Sequence, residues 1–493
     1  MLYDTLAIPR RTSRRQLLRQ AGGGLGLLGL IGLLQDEGRL GQRTASAEEL
    51  PSNPLAPRPP HFRASAKRVI WIFINGGPSH VDTWDYKPGL SKWDGKSMRE
   101  FDPEFKNTTG FFKDSVGALM KSPFSFTPRG ECGKMVSSIF PYLGQHVDKM
   151  AFIHSGFSES NNHSTALFKL NCGLPRMGFP CVGSWVTYGL GSESQSLPGF
   201  VVMSDPQGRG LPKAHAANWS AGFLPGVYQG THLRPQGPPI DNLTLAAGLT
   251  DKGQRNQLSY LRQLNELHQQ RVPAAPELEA RIESFELAYR MQAAAPEALD
   301  LDSEPEYIQR LYGLDQQVSA PFGRQCIMAR RLVERGVRFV QIYSGGNENE
   351  RSWDGHVDIV GNHTQFAGET DRPVAGLLAD LQQRGLLQDT LVIWCGEFGR
   401  LPVAQKSAKP GRDHNPYCLS AWLAGGGVRG GVSYGESDEV GYKAAVDPVH
   451  VNDLHATILY LLGIDHTELT YRHNGRDYRL TDVAGEVLTR IIA

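Results

Sequence analysis

Histidines beside carboxylates recur in separated stretches of the sequence, and their spacing limits what they can do. "NGGPSHVD" holds Asn75, Ser79, His80 and Asp82, and "HSGFSESNNHSTALF" holds His154, His163 and Ser164. "NENERSWDGHVDIVGNH" holds Asp354, His356 and His363, while "GEFGR" and "GRDHNP" hold Glu397, Arg400, Asp413 and His414. Imidazole and carboxylate together make a borderline donor set, suited to Zn²⁺ or Mn²⁺ more than to Ca²⁺ or Mg²⁺. A closed structural zinc site would use tight Cys/His pairs, whereas donors spread over several loops fit an open site with room for a substrate. Asp354, His356, Glu397 and His414 carry donor atoms of that kind, and His163 and Ser164 stand at the start of a helical pattern. Arg400 would pair with Glu397 or bind oxyanions bidentately. Each piece also has a bland reading. Asp-Gly is a common turn, a lone Glu can merely pair with Arg, and His80 and His363 read as supporting groups. His455, inside a helical pattern, reads as a satisfied, partly buried histidine.

A sheet whose strand ends lie side by side can bring such distant residues together. "RVIWIFINGG" (68–77), "MAFIHSGF" (150–157), "GFVVMSD" (199–205), "VRFVQIYSGG" (337–346), "TLVIWCGEFG" (390–399) and "YCLSAWLAGGG" (417–427) are apolar runs that end near turn residues. Such runs suit strands buried on both faces of a mostly parallel sheet. Between them, 322–336, 370–387 and 452–464 have helical apolar spacing, with Asn452 or Asp453 near the last N-cap. The reading is α/β and doubly wound, with ligands expected beyond the carboxyl ends of the strands. Four strand ends loaded with His and carboxylate fit that placement. Residues 253–313 read instead as two long helices, with Leu258, Leu261, Leu264 and Leu267 expected to pack as core. Gly- and Pro-rich 205–250 would be a loop or lid, so the insertion covers about 205–320.

The balance of 51 basic and 51 acidic residues provides no global field for nucleic acid or an anionic membrane. Six scattered cysteines without a CxxC exclude a disulfide scaffold, leaving buried thiols and at most one disulfide. The N-terminus has Arg14 and Arg15, an uncharged run from Ala21 to Leu34, and an A-x-A site at Ala45-Ser46-Ala47. It resembles a twin-arginine export signal over residues 1–47, the alternative being an uncleaved anchor. A Pro-rich linker (48–66) would follow, then one domain over 67–493 with no stable membrane span.

From about Lys67 onward, "GGPSHVDTWDYKP", "NNHSTALFKLNCG", "WDGH", "TDRPVAGLLADLQQRGLLQDTLVIWCGEFGR", "GRDHNP" and "DLHATILYLLGIDH" resemble exported proteins of the DUF1501 class, a sulfatase-like family abundant in planctomycetes. That family in turn resembles the alkaline phosphatase superfamily. The resemblance implies that fold type and metal-dependent hydrolysis of phosphate or sulfate esters, on small molecules or glycans, in the periplasm. Asp354 and His356 stand at the superfamily's Asp/His metal pair, His414 at a further metal His, and His163-Ser164 at the nucleophile's helix start. The resemblance therefore implies Asp354, His356, Glu397 and His414 as metal ligands, Ser164 as a hydroxyl open to activation and His163 as a general base or further ligand. Glu397-Phe398 stands where Asp-His is usual, and Phe398 cannot bind metal. The sulfatase signature C/S-x-P-x-R is missing, since "CGLPR" (172–176) is one residue too long, and Leu401 replaces the family's usual Thr. These departures keep a second reading open: a non-catalytic exported binding or scaffold protein that retains the fold.

Overall fold

The computed structural model describes residues 53–493 apart from 106–110, 112–115, 235–238, 241–242, 244, 246–247, 272–275 and 348. The export signal expected over 1–47 lies outside the described residues. Among the described residues nine strands form the central sheet: β1 (Arg68–Ile74), β2 (Met150–Phe157), β3 (Phe200–Met203), β4 (Thr231–Leu233), β5 (Phe339–Ser344), β6 (Thr390–Cys395), β7 (Leu419–Ala424), β8 (Val432–Tyr434) and β9 (Val449–His450). Their order is β8-β2-β7-β6-β1-β5-β3-β4, with β9 extending the β8 edge alongside β2.

β1 lies in the middle, between β5 and β6, and shows why these apolar runs become strands. Val69, Trp71 and Phe73 point into one core layer, and Ile70, Ile72 and Ile74 into the other. An alternating polar pattern would leave one face in water; a continuous apolar run demands cover on both. Helices α1 (His163–Cys172), α2 (Val182–Leu190) and α7 (Val451–Leu461) cover the first face. α5 (Ala320–Glu334) and α6 (Ile359–Gln383) cover the second, joined by the end of α4 (Pro276–Leu299), which follows α3 (Asp251–Arg271). Gly336 (φ 88°) and Gly385 (φ 70°) turn the chain from α5 and α6 toward the next strands.

All pairings in the sheet are parallel except those of β7, which runs antiparallel to both β2 and β6. The start of β7, rather than its end, therefore sits at the carboxyl end of its neighbours. Several boundaries differ from the sequence reading. α6 begins at Ile359, eleven positions before the apolar spacing becomes regular, because the Asp358 side chain accepts from Gly361 N (3.0 Å) and opens the helix. The N-cap of α7 is His450, with Asn452 and Asp453 beside it in the first turn; Asp453 reaches back to accept from His450 N at 2.8 Å. Residues 205–250 add β4 to the sheet edge and bury Trp219, Leu224 and Tyr228. The leucine stripe of α3 does not pack as core, since Leu267 is 54% exposed. Residues 53–66 lie against the domain, with Ser192 N donating to Leu55 O and Arg58 N to Leu190 O, both at 2.9 Å. All six cysteines are free thiols, five of them buried. No helix among the described residues is long and apolar enough to cross a membrane.

Candidate metal centre

Five chain segments converge at the carboxyl end of the sheet. β1 runs into Gly76-Gly77, β5 into the loop that carries Asp354 and His356, and β6 into Glu397. β2 leads to His163 at the start of α1, and β7, being antiparallel, is preceded by His414. Gly76 is obligatory: its φ is 104°, and a Cβ there would lie 2.6 Å from both Asp354 N and Ser352 Oγ.

The centre of the cluster is the Asp354 carboxylate. His356 Nε2 lies 3.0 Å and His414 Nε2 3.2 Å from its Oδ1, and His163 Nε2 lies 3.2 Å from its Oδ2. The other ring nitrogen of each histidine faces an oxygen. His163 Nδ1 meets Glu397 Oε1 at 2.7 Å, His356 Nδ1 meets Gln405 Oε1 at 2.7 Å, and His414 Nδ1 meets the Asn161 carbonyl at 2.6 Å. With a cation bound, a proton kept on each Nδ1 would leave each Nε2 lone pair for the ion beside Asp354, the arrangement by which outer hydrogen bonds orient metal-ligating histidines. His356 and His414 place their Nε2 atoms 2.9 Å apart, so both cannot carry hydrogen between them. His163 Nε2 is buried and has no hydrogen-bond partner among the described residues. Two donor groups can be drawn from this cluster: His163, Asp354 and His414, and His356, Asp413 and His414. Both fit a divalent cation of borderline hardness.

The electrostatics favour a positive charge at this point. Burial opposes the charge on His163, yet the Asp354 and Glu397 carboxylates beside its two ring nitrogens overcome that and push it up to about 9. Burial would also raise Asp354, but the Arg400 guanidinium and the three imidazoles hold it well below the usual carboxylate range. Burial, reinforced by the charge on His163, pushes His414 well below its ordinary value.

The structure thus brings Asp354, His356, His414 and His163 together. Glu397 stands one step behind: wholly buried, it accepts from Gly76 N at 2.9 Å and meets the cluster through His163. Arg400, also wholly buried, donates to the carbonyls of Gly76, Gly77 and Arg412 and, at 2.7 Å, to Asp354 Oδ1. Its guanidinium positions Asp354 and has no face toward solvent; it does not pair with Glu397 in the structure. Phe398 fills the space beside the histidines, its ring 4.9 Å from that of His163 and 4.5 Å from that of His414. Ser164 lines the open side, in a cleft of about 350 Å³ with Asn162, Lys213, Asn349 and Phe111. His363 accepts from Ser79 N at 2.9 Å, and His80 lies 2.8 Å from the Gly441 carbonyl, so both support the loop after β1. His455 is buried on α7, with Nε2 2.8 Å from Leu170 O. Sequence reasoning missed Gln405 and the Asn161 carbonyl. Neither residue type carries a signal, because only the fold tells which oxygen meets an imidazole.

A family model described as "Protein of unknown function (DUF1501)" matches residues 66–492. None of the curated proteins matches the chain. Among solved structures the chain is similar to the PsFucS1 sulfatase from Pseudoalteromonas sp., with TM-score 0.33 and 11% identity over 82% of this chain and 68% of that one. It is also similar to the alkaline phosphatase of the Antarctic bacterium TAB5, with TM-score 0.33 and 10% identity over 81% and 98%. A third is the phosphonate monoester hydrolase SpPMH from Silicibacter pomeroyi, with TM-score 0.35 and 11% identity over 87% and 76%.

Proposed function

The chain belongs to the DUF1501 family, and on that premise we propose that it is an exported, metal-dependent hydrolase of phosphate or sulfate esters. The observation that carries this reading is the shared orientation of three histidines, each with Nδ1 on an oxygen and Nε2 turned to Asp354. His163, His356, His414 and Asp354 would hold a divalent ion, Zn²⁺ or Mn²⁺ by donor type. Glu397, Gln405 and Arg400 would keep these donors in place. The ion, when bound, would supply Lewis acidity toward a phosphoryl or sulfuryl oxygen.

The chain's own residues suggest the remaining roles. Ser164 lines the cleft at the N-terminal turn of α1, with its backbone N–H donating to the Asn162 side chain at 3.1 Å. Its hydroxyl would attack the ester's central atom, the alcohol would leave with a proton, and water would then release the acid from Ser164. The dipole of α1 favours the negative charge that develops there. Lys213 at the rim would attract the anionic group. The N-terminal pair Arg14-Arg15 supports export, with cleavage after Ala47.

Metal analysis of the purified chain, with turnover of p-nitrophenyl phosphate and p-nitrophenyl sulfate before and after chelation, tests the proposal. Bound Zn²⁺ or Mn²⁺, and turnover that chelator removes and metal restores, are expected. Failure to retain any divalent metal would overturn it. A second reading, a metal-loaded binding protein without turnover, is favoured by the burial of Arg400, since no guanidinium lines the cleft among the described residues. Metal retention with no hydrolysis of either ester would select it.

A further inference from the structure

A second cleft, of about 500 Å³, opens beside the β8 edge of the sheet and shares no lining residue with the metal centre. Lys134 enters it from the hairpin of Phe126–Arg129 and Lys134–Ser137, and Phe152 and His154 enter it from β2. The other cations lining it have counter-ions: Lys87 lies 3.3 Å from Asp85, and Arg490 lies 2.6 Å from Asp447. Lys134 is different. Among the described residues no carboxylate lies within ion-pair distance of its Nζ, which packs 4.5 Å from the centre of the Phe152 ring and against His154 Nε2. His154 is 6% exposed, stacked on Phe152, with Nδ1 facing Ser420 Oγ at 3.4 Å and Asp85 Oδ1 at 4.0 Å. That environment keeps the imidazole neutral, with Nε2 as an acceptor. Burial, together with the charges of Lys134, Lys87 and His80, holds His154 well below its ordinary value.

A partly buried amine without a counter-ion, facing open volume and held by a neutral hydrogen-bond acceptor, has the environment of a nucleophilic lysine rather than a solubilising one. We propose that Lys134 is a reactive amine that condenses with a small carbonyl compound admitted by this cleft, independently of the metal centre. The ammonium releases a proton to water in the cleft. One remaining N–H stays on His154 Nε2, and the lone pair attacks the carbonyl carbon. The alkoxide takes one amine proton, and the carbinolamine then loses its hydroxyl together with the last N–H proton as water, so a C=N bond replaces the C=O bond with no change of oxidation state. Burial supports this by pushing the Lys134 ammonium down to about 8; Asp85 and Cys132 oppose the shift and Lys87 adds to it. About one-tenth of such amines are neutral at pH 7, against about three in ten thousand for an ordinary lysine.

The test uses the full purified chain, pyridoxal 5′-phosphate as the carbonyl probe, and borohydride to fix the imine, followed by peptide mapping. Lys92 and Lys121, 67% and 60% exposed, are the internal controls. Lys134 is expected to be labelled at least about tenfold faster than either at pH 7, and Lys134→Arg is expected to remove the fast phase. Mapping the wild-type chain needs no variant to fold. Labelling of Lys134 no faster than the controls, or a fast phase that survives in Lys134→Arg, overturns the proposal.

Discussion

Replacing Glu397 by Gln asks whether this carboxylate is a ligand or the support of one. Its Oε1 lies 2.7 Å from His163 Nδ1 and 2.9 Å from Gly76 N, with Oε2 3.2 Å from the same N–H. A glutamine oxygen can keep both contacts at the Oε1 position. Its amide nitrogen would then face Gly76 N–H, donor against donor, an offence of about 1–3 kcal/mol. Loss of a carboxylate behind a metal-bound histidine typically weakens affinity about 10–100-fold, or about 1.4–2.7 kcal/mol. His163→Asn, by contrast, removes a donor from the cluster itself and should weaken binding well beyond that range. The expected order of Zn²⁺ affinity is therefore wild type, then Glu397→Gln, then His163→Asn. Competition titration against a chromophoric chelator reads it, with urea melts in chelator to correct for folding. Equal losses in the two variants would make Glu397 a ligand in its own right. Wild-type affinity in His163→Asn would refute the three-histidine assignment altogether.

Arg400→Met should destabilise the chain by about 3–5 kcal/mol in urea melts, because it strands the buried Asp354 charge and the Gly76 and Gly77 carbonyls; a loss below about 1 kcal/mol would show that the guanidinium is dispensable. Gly76→Ala should cost about 2 kcal/mol or more and lower metal affinity as well, since its Cβ would meet Asp354 N and Ser352 Oγ at 2.6 Å; unchanged melting and metal titration would contradict this. Burial pushes His455 down to about 3, so the folded chain refuses a proton that the unfolded chain takes below about pH 6.5. Its contribution to stability is complete above that pH and is lost toward pH 3, at about 1.4 kcal/mol per unit. His455→Gln should flatten the acid limb of the stability profile by that slope, and an unaltered limb would count against a buried neutral imidazole. Ser164→Ala should abolish ester turnover while leaving metal content unchanged; retained turnover would place the nucleophile elsewhere.

The central strands were legible because an unbroken apolar run such as "RVIWIFI" admits little except burial on both faces. The same logic could not give direction, since "LSAWLA" reads alike either way, and so the antiparallel β7 came only from its pairings. β4 and β8, three residues each, are too short to carry a pattern. The opening of α6 was hidden by polar residues, its start depending on the single Asp358 cap. At the site, residue types marked the strand ends correctly, and Asp354, His356 and His414 do meet. Rank within the site was not legible: Glu397 and His163 differ in which atom faces the cluster, and composition carries no information about that. The leucine stripe of α3 failed for the opposite reason, because spacing alone cannot say whether a neighbour covers a helix face.

The central position of β1 bears on the order in which the chain can fold. Its flanking partners arrive late: Arg68 pairs with Asp389, 321 positions away, and Arg338 donates to Lys67 O across 271. At about 5–20 residues per second, a ribosome needs roughly 15–60 s to bring β6 out after β1. Until β5 emerges both edges of "RVIWIFI" lack their native pairing, and the edge that takes β6 stays open for the whole interval. A nascent chain of this topology is most exposed to misassembly in its first strand. Chaperone protection or a waiting collapsed state is needed there, while the β6–β7 hairpin, whose strands lie close in sequence, can close almost as soon as it is made.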